Sequence, residues 1–462
     1  MNQTTNGHRF LPALLVLTAM VYSLGLGGPF QFDDYQNIVL PLEHGVSSLR
    51  ALWEYVVDGV AGPLGRPLAL LSFAANAALG GLDPFWFKGV NLAIHLANGA
   101  LVFGLVQRCL RLGPLSVGLE RPQALAGFVA AAWLLHPLQV SSVLYVVQRM
   151  TSLSATFVLL GIHAYLHARE LQLADSPRAA RAWLWFGTPL CFGLALLTKE
   201  SGALMLAYLF VIERCLLRFR AGAGRADVRL FHGLFLLVPL FALAGFLALH
   251  PGWLAAGQEF RNFSPVERLL TEARALWFYL RLLAVPDPGL MSLFHDDFQI
   301  SRGLFAPWTT FPAVLGVLGA VAVFLALYRR LPWIAFGVGW FLAGHALEST
   351  VLMLEPVQLH RNYLAILGPL LAVAVSAPRL SFDWQRRALL AAGIWLACLA
   401  TVTALRAHQW RDEYAIAYEE EMHHPDSARM NYEVGRLLAE AARESKSAEA
   451  RAQAGRYFER AA

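Results

Sequence analysis

Long uncharged runs alternate along this chain with short clusters of ions, a pattern that predicts a bundle of helices crossing a bilayer. Apolar runs read as helices at about 11–28, 84–107, 123–136, 151–168, 182–198, 201–217, 230–250, 309–328, 332–347, 363–378 and 388–405. Spanning takes roughly 20 residues, so several of these eleven are short. The stretch 182–217 is interrupted only by Lys199 and Glu200. As one helix it would be about 54 Å long, too long for one crossing, so two spans meeting at a tight turn fit better. The run Phe10–Gly27 holds no charge and follows His8 and Arg9, as a secretory signal would. The GLGGPF after it is a poor cleavage site, and the run reads as an uncleaved anchor.

Composition agrees. The chain has 462 residues, 57% hydrophobic and 15% charged, with a mean hydropathy of +0.49. Soluble domains carry about 25% charge, so the expected class is an all-α, polytopic membrane protein. The four cysteines lie in or beside apolar runs, which argues against a disulfide framework or a zinc site. No metal is expected.

The net charge of +5 points to topology rather than nucleic acid. With the N-terminus inside, 17 arginines fall in inner loops against 6 acids, whereas the outer side, tail apart, carries 11 basic and 15 acidic residues. That is the positive-inside pattern. It makes 29–83 a first outer loop, 251–308 a second, and puts the tail from Arg406 outside. Residues 1–405 then form the membrane domain and 406–462 a separate helical tail. Within the loops, LRALWEYVVDGV and RPLALLSFAANAALGG read as interfacial helices. A third, SPVERLLTEARALWFYLRLL, opens on a Ser264-x-x-Glu267 capping box with Pro265 at its first turn. In the tail, Gly435 and Leu438, then Ala454, Phe458 and Ala461, have the spacing of a partial tetratricopeptide repeat or of a plain amphipathic hairpin.

Polar residues in apolar helices are costly and mark candidate sites. Asn91, His95 and Asn98 share one helix face; they serve either a site or hydrogen bonding between helices. Asp33 with Asp34, His136, Gln148 with Arg149, Lys199 with Glu200, Glu348, Glu355 and His360-Arg361-Asn362 all fall at one predicted outer level. Together they predict a polar cavity in the outer leaflet. There an arginine or lysine can hold a lipid phosphate, and a carboxylate can take the proton of an incoming hydroxyl. No P-loop, dinucleotide fingerprint or G-x-S-x-G elbow is placed to work, so a transferase here would need a lipid-carried, pre-activated donor. His295-Asp296-Asp297 in the second outer loop is either a solvated turn or part of a metal or acceptor site.

In order, FQFDDYQNI, GRPLALLSFAANAALGGLDPFWFKGVNLAIHLANGALVF, HPLQVSSVLYVVQRMTSLSATFVLLGIHAYLHAR, LALLTKESGALMLAYLFVIE and LESTVLMLEPVQLHRNYLAILGPL resemble one family over residues 30 to about 370. These are the transmembrane and tetratricopeptide-repeat protein O-mannosyltransferases, with a GT-C membrane fold, and their bacterial homologues. The resemblance implies a polyprenyl-phosphate sugar as donor, a Ser or Thr hydroxyl of an exported protein as acceptor, and Asp33 or Asp34 as general base. Neighbours in an extended loop point opposite ways, so one aspartate should face the donor, and the expected base is Asp34. Arg66 and Arg149, supported by His136, would grip the lipid phosphate; Asn91, His95, Lys199, Glu200, Glu348, Glu355, His360, Arg361 and Asn362 would play supporting roles. The implied location is a bacterial inner membrane, N-terminus cytoplasmic and C-terminus periplasmic, with the tail open to a protein partner. Transfer onto a lipid-linked glycan, or a non-catalytic scaffold, are the competing readings.

Overall fold

The computed structural model describes residues 4–57, 59, 61–62, 65–116, 119, 121–220, 224–250, 252–253 and 261–462. Glu120 of the inner-loop set and parts of both outer loops fall outside them. Among the described residues the regular elements are helices, apart from one isolated bridge between Gly303 and Ala306.

Five helices are long and apolar enough to cross a membrane: Pro84–Leu112, Pro177–Thr198, Arg225–Leu249, Thr310–Leu327 and Phe382–Gln409. Two more spans form if each bent pair counts as one, Pro122–Leu134 with Pro137–Leu144 (51°) and Leu359–Ala365 with Leu367–Arg379 (48°). These correspond to seven of the eleven expected runs. In the windows of Arg225–Leu249, Thr310–Leu327 and Phe382–Gln409 only 11% is buried by protein. Helices apolar all round and left uncovered need a lipid solvent, and the chain is an integral membrane protein.

The other four runs correct the count of eleven. Phe10–Ser23 is a shorter apolar helix. Pro332–His345 has 14 residues, about 21 Å, short of the bilayer core. The run 201–217 breaks into a 3₁₀ turn, the nine-residue helix Leu204–Ile212 and a wider turn at Glu213–Leu217. Helix Arg149–Leu173 is long enough, but Thr151, Ser152, Ser154, Thr156, His163 and His167 dilute its hydropathy. The expected turn at Lys199-Glu200 is present. The preceding helix ends at Thr198, Lys199 is extended, and a 3₁₀ turn restarts at Glu200. A Cβ on Gly202 would lie 2.6 Å from the Ala195 carbonyl carbon, so the two arms meet too closely for any side chain there.

Each bend frees backbone carbonyls that must find donors in a low-dielectric interior. At the second bend, the carbonyl of Tyr363 accepts from the Trp133 indole (2.7 Å) and Gln139 Nε2 (3.1 Å), and that of Leu364 accepts from the Trp340 indole (2.9 Å). At the first, Leu134 O is met by His95 Nε2 (3.1 Å), and Leu135 O by the Thr403 hydroxyl (2.6 Å). The core assembles around these joints.

In the outer loops, helices Leu49–Val57 and Pro67–Gly80 form where expected. Ser264 and Glu267 cap helix Pro265–Ala284 reciprocally. The tail continues from the Phe382–Gln409 span into helices Glu413–His423, Ala428–Ser445 and Ala448–Ala461. Gly435 does meet Phe458, whose ring lies 2.8 Å from where a Cβ would be. The arm is a helical hairpin rather than a tetratricopeptide repeat. Val434 and Leu437 are covered by Ala417 from the preceding Glu413–His423 helix.

The second outer loop is the dock for this arm. Glu420 is buried, accepts from Ser292 Oγ and Leu293 N (both 2.9 Å) and pairs with Arg406 (3.4 Å). Asp297 pairs with His424 (2.6 Å), and Asp296 accepts from Ser427 Oγ (2.6 Å) and Arg429 N (3.2 Å). Asp296 and Asp297 thus lie in the expected exposed turn, and from it they also fasten the tail.

Candidate functional site

Asp33 and Asp34 lie in a helical turn rather than in the expected extended loop. The chain enters it by turning at Phe32, a non-glycine residue with φ 35°, whose ring packs edge-on against Phe294 at 4.6 Å. Such backbone costs about 1–3 kcal/mol and concentrates at functional sites. Beyond it the two aspartates part company. Asp34 is fully buried; one carboxylate oxygen accepts from Gln31 N (2.9 Å), the other from Val147 N (2.6 Å). Burial pushes its pKa up to about 7 against the pull of those two donors and of Lys88. Asp33 is held through its backbone, whose N–H donates to the Tyr145 hydroxyl (2.9 Å), while the residue itself is exposed. Partial desolvation raises its carboxyl above the ordinary range, and the charge of Glu355 adds to that; a side-chain hydrogen bond with Tyr145, then Arg429 and Arg66, pull the other way. The open carboxylate is Asp33, whereas the expected base, Asp34, has both oxygens committed.

Arg66 is the second strained residue, at φ 55°, just ahead of helix Pro67–Gly80. Its guanidinium pairs with Glu200 (2.9 Å) and touches Met150 Sδ (3.3 Å), and its side chain remains one-fifth exposed. Next to this pair lies a denser cluster. Lys199 Nζ donates to Thr151 Oγ1 (3.0 Å) and faces Glu348 (3.5 Å); Arg361 pairs with Glu348 (3.2 Å) and more loosely with Glu272 (3.7 Å), which Arg268 holds at 2.8 Å. Burial alone would raise Glu348, but Lys199 and Arg361 outweigh it and hold the acid down at about 2. Burial lowers Lys199 despite Glu348, and pushes Glu272 up to about 7. Lys199, Glu348, His360 and Arg361 line one small cavity together with Tyr208 and Tyr363.

Glu355 is paired with Arg429 (2.6 Å) and Arg261 (3.3 Å). It lines a separate open cleft of ≈ 310 Å³ between the second outer loop and the tail, whose lining includes Phe294, the residue against which Phe32 packs.

The remaining expected site residues are used inside the protein. Arg149 is fully buried, donating to Asn91 Oδ1 (2.7 Å), Asn76 Oδ1 (2.7 Å), Phe87 O (2.9 Å) and Ser72 O (3.1 Å), with its guanidinium over the rings of Phe73 and Phe87. His136 donates from Nε2 to Leu283 O (3.1 Å) and accepts the Leu138 N–H at Nδ1 (3.2 Å), capping the turn after the bend. Neither has a face open to a lipid phosphate, which corrects that expectation. Asn91 donates to Val143 O (3.1 Å) and Val146 O (3.2 Å); His95 bonds Tyr363 OH (2.9 Å) as well as Leu134 O; Asn362 bonds Leu359 O (3.2 Å). They satisfy the backbone of broken helices.

Tyr145, Lys88, Arg268, Glu272, Arg261 and Arg429 were not among the expected site residues. The Arg268–Glu272 pair was legible as an i, i+4 ion pair inside an apolar helix; Arg429, in a polar tail, carried no signal. Among the described residues no group of three or more His, Cys, Asp or Glu is placed to hold a metal.

No protein-family model matches the chain, and no solved structure matches it. Curated proteins do. Protein O-mannosyl-transferase TMTC2 of Mus musculus is 34% identical over 143 residues, 31% of this chain and 15% of that protein. The Homo sapiens TMTC2 is 32% identical over 143 residues, with the same coverage. Protein O-mannosyl-transferase TMTC1 of Mus musculus is 26% identical over 200 residues, 40% of this chain and 20% of that protein. The matched stretches cover a fifth or less of these relatives' length. Over that limited part, the chain is a distant homologue of the TMTC protein O-mannosyl-transferases.

Proposed function

We propose that the chain is a membrane glycosyltransferase that moves a sugar from a polyprenyl-phosphate donor to a Ser or Thr hydroxyl of an exported protein, at the outer face of a bacterial inner membrane. The observation that carries this reading is the placement of Asp33. It is an exposed residue whose carboxyl has a raised pKa, within the influence of Glu355, Tyr145, Arg429 and Arg66. In this mechanism Asp33 takes the hydroxyl proton as the acceptor oxygen bonds to the anomeric carbon. The bond from that carbon to the phosphate oxygen breaks, and its electron pair leaves with the polyprenyl phosphate. Attack opposite the leaving phosphate inverts the anomeric centre.

Arg66 is the cation best suited to the donor phosphate, because its side chain is partly open and a guanidinium can form a fork onto phosphate oxygens. Lys199, Glu348, His360 and Arg361 form the wall behind it, a fixed set of charges that does not need to reorganise as negative charge builds on the leaving oxygen. Asp34 acts beneath them as a structural clamp, tying the catalytic loop to Val147. The partial homology to protein O-mannosyl-transferases supports a sugar donor and a protein acceptor. Transfer is tested in membranes carrying the full chain, with a radiolabelled polyprenyl-phosphate mannose and exported proteins as acceptors. Asp33→Asn is expected to insert normally and lose transfer by at least about a hundredfold, the scale of a missing general base. Wild-type rates in that variant would reject Asp33 as the base.

A further inference from the structure

The ≈ 310 Å³ cleft between the second outer loop and the tail has an unbalanced set of polar groups. Its two carboxylates are already committed. Asp296 accepts from Ser427 Oγ and Arg429 N. Glu355 accepts from Arg261 and Arg429 on one oxygen and from Gln358 on the other. Its three arginines are not saturated. A guanidinium carries five N–H donors; Arg261 and Arg429 each place one nitrogen on Glu355, and Arg302 one on Asn262 O and Glu267. Their side chains are 33%, 43% and 52% exposed. Among the described residues the cleft therefore presents three partly exposed guanidiniums against two carboxylates that are already paired, and the ring of Phe294, under the Arg429 guanidinium at 4.9 Å, backs its wall. Its complement is an anion carried on a partly apolar chain.

Position separates the possible anions. The residues lining the cleft come from the second outer loop, the 355–357 segment and the tail, and none lies on a membrane-length helix. A lipid-linked phosphate is tethered to the bilayer, whereas a polypeptide approaches from the aqueous side. The cleft also adjoins the catalytic loop, since Phe32, next to Asp33, packs on its lining residue Phe294.

We propose that this cleft binds the acceptor polypeptide, and that Arg429 of the tail reads an acidic side chain beside the hydroxyl to be modified. The proposal rests on the transferase reading above and adds the acceptor's chemistry to it. It gives the arm a function: the docking acids bring a tail arginine to the rim of a site in the membrane domain. Arg429 is a suitable probe because Asp296 holds its backbone N–H, not its side chain, so a substitution leaves that anchor in place.

The test is binding, read apart from turnover. Purified full-length chain in detergent is titrated into a fluorescein-labelled short peptide with one threonine flanked by glutamates, and into its twin with glutamines. The glutamate peptide is expected to bind wild type and Asp33→Asn alike. Its affinity should fall about tenfold in Arg429→Gln, as for one charge-assisted hydrogen bond at a half-open position, and recover in part in Arg429→Lys. The glutamine peptide should bind wild type as weakly as the glutamate peptide binds Arg429→Gln. Equal affinity for the two peptides, or an unchanged Arg429→Gln, would overturn the proposal. So would displacement of the peptide by polyprenyl phosphate, which would make the cleft a donor phosphate site. Binding as expected, with no transfer from any polyprenyl-phosphate sugar, would reject the transferase reading and leave the peptide cleft supported.

Discussion

Asp34 provides the sharpest physical test, because its environment fixes both a sign and a size. The folded pKa is about 7 against an ordinary value of 3.8. Between those values the folded chain keeps a proton that the unfolded chain has lost. The stability this group contributes is therefore fully present below pH 3.8 and is lost as pH rises through 7. A gap of about three units at 1.36 kcal/mol each amounts to about 4 kcal/mol. Glu272 is raised to a similar value, so the wild-type profile contains both groups, and only the difference from Asp34→Asn isolates Asp34. With the exposed Cys398 and the half-buried Cys191 replaced by alanine in both proteins, the buried thiols of Cys109 and Cys215 provide the assay: in detergent, their reaction with a thiol dye reports unfolding. Asparagine keeps one acceptor oxygen but cannot satisfy both Gln31 N and Val147 N, so the variant should be about 1–3 kcal/mol less stable at pH 4. Between pH 4 and pH 8 wild type should lose about 4 kcal/mol more than the variant does, so that by pH 8 the variant is the more stable of the two. Parallel pH profiles for the two proteins would refute the reasoning.

Arg66→Ala and Arg149→Ala should separate an arginine at the site from one in the scaffold. The first is expected to accumulate in membranes but transfer poorly; the second strands the hydrogen-bond partners Asn91 and Asn76 around a buried void, costs about 1–3 kcal/mol for each stranded group, and should be recovered in low yield by quantitative immunoblot. The His424–Asp297 pair should make tail docking pH-dependent. Asp297 outweighs the burial of His424 and raises its pKa, so this contribution is full below about 6.5 and is lost as pH rises through the folded value. Asp297 is itself lowered, by His424 against its own burial, so its contribution is present above pH 3.8 and is lost on acidification. Proteolysis of the 406–462 arm should therefore be slowest at about pH 4–6.5, and that minimum should be absent in Asp297→Asn.

The fold class was legible because lipid leaves a strong mark: uncharged runs and one-sided arginines have few other causes. The number of spans was not. Hydropathy cannot tell a run facing lipid, such as Val238–Leu249, from one facing other helices, such as Leu204–Ile212, since both are apolar all round. The site was half legible for a related reason. A polar residue is costly in a membrane whether it serves a ligand or a carbonyl freed by a bent helix, and sequence shows only the cost. Asn91, His95, His136 and Arg149 proved to be donors and caps at joints; Arg66, Lys199, Glu200, Glu348 and Arg361 proved to be neighbours. The arm's acids looked like a loop feature because their partners, Ser427, His424 and Arg429, lie more than a hundred residues away.

What separates the two sets is how many polar atoms each ion has left once the fold is complete. Asp34 and Arg149 are bound on nearly every side, and charge so enclosed can position a loop but cannot meet a substrate. Asp33, Arg66 and Arg429 are each fixed at one end and open at the other: Asp33 through its backbone N–H, Arg66 through Glu200, Arg429 through Asp296 and Glu355. A group held this way costs little to orient and keeps its chemistry available, which is the condition for acting in a transition state. Two of the left-handed non-glycine residues, Phe32 and Arg66, sit at or next to these open groups. Their strain is borne by a scaffold that includes enclosed, hydrogen-bonded ions such as Asp34 and Arg149, so the enclosed groups hold the open ones in place.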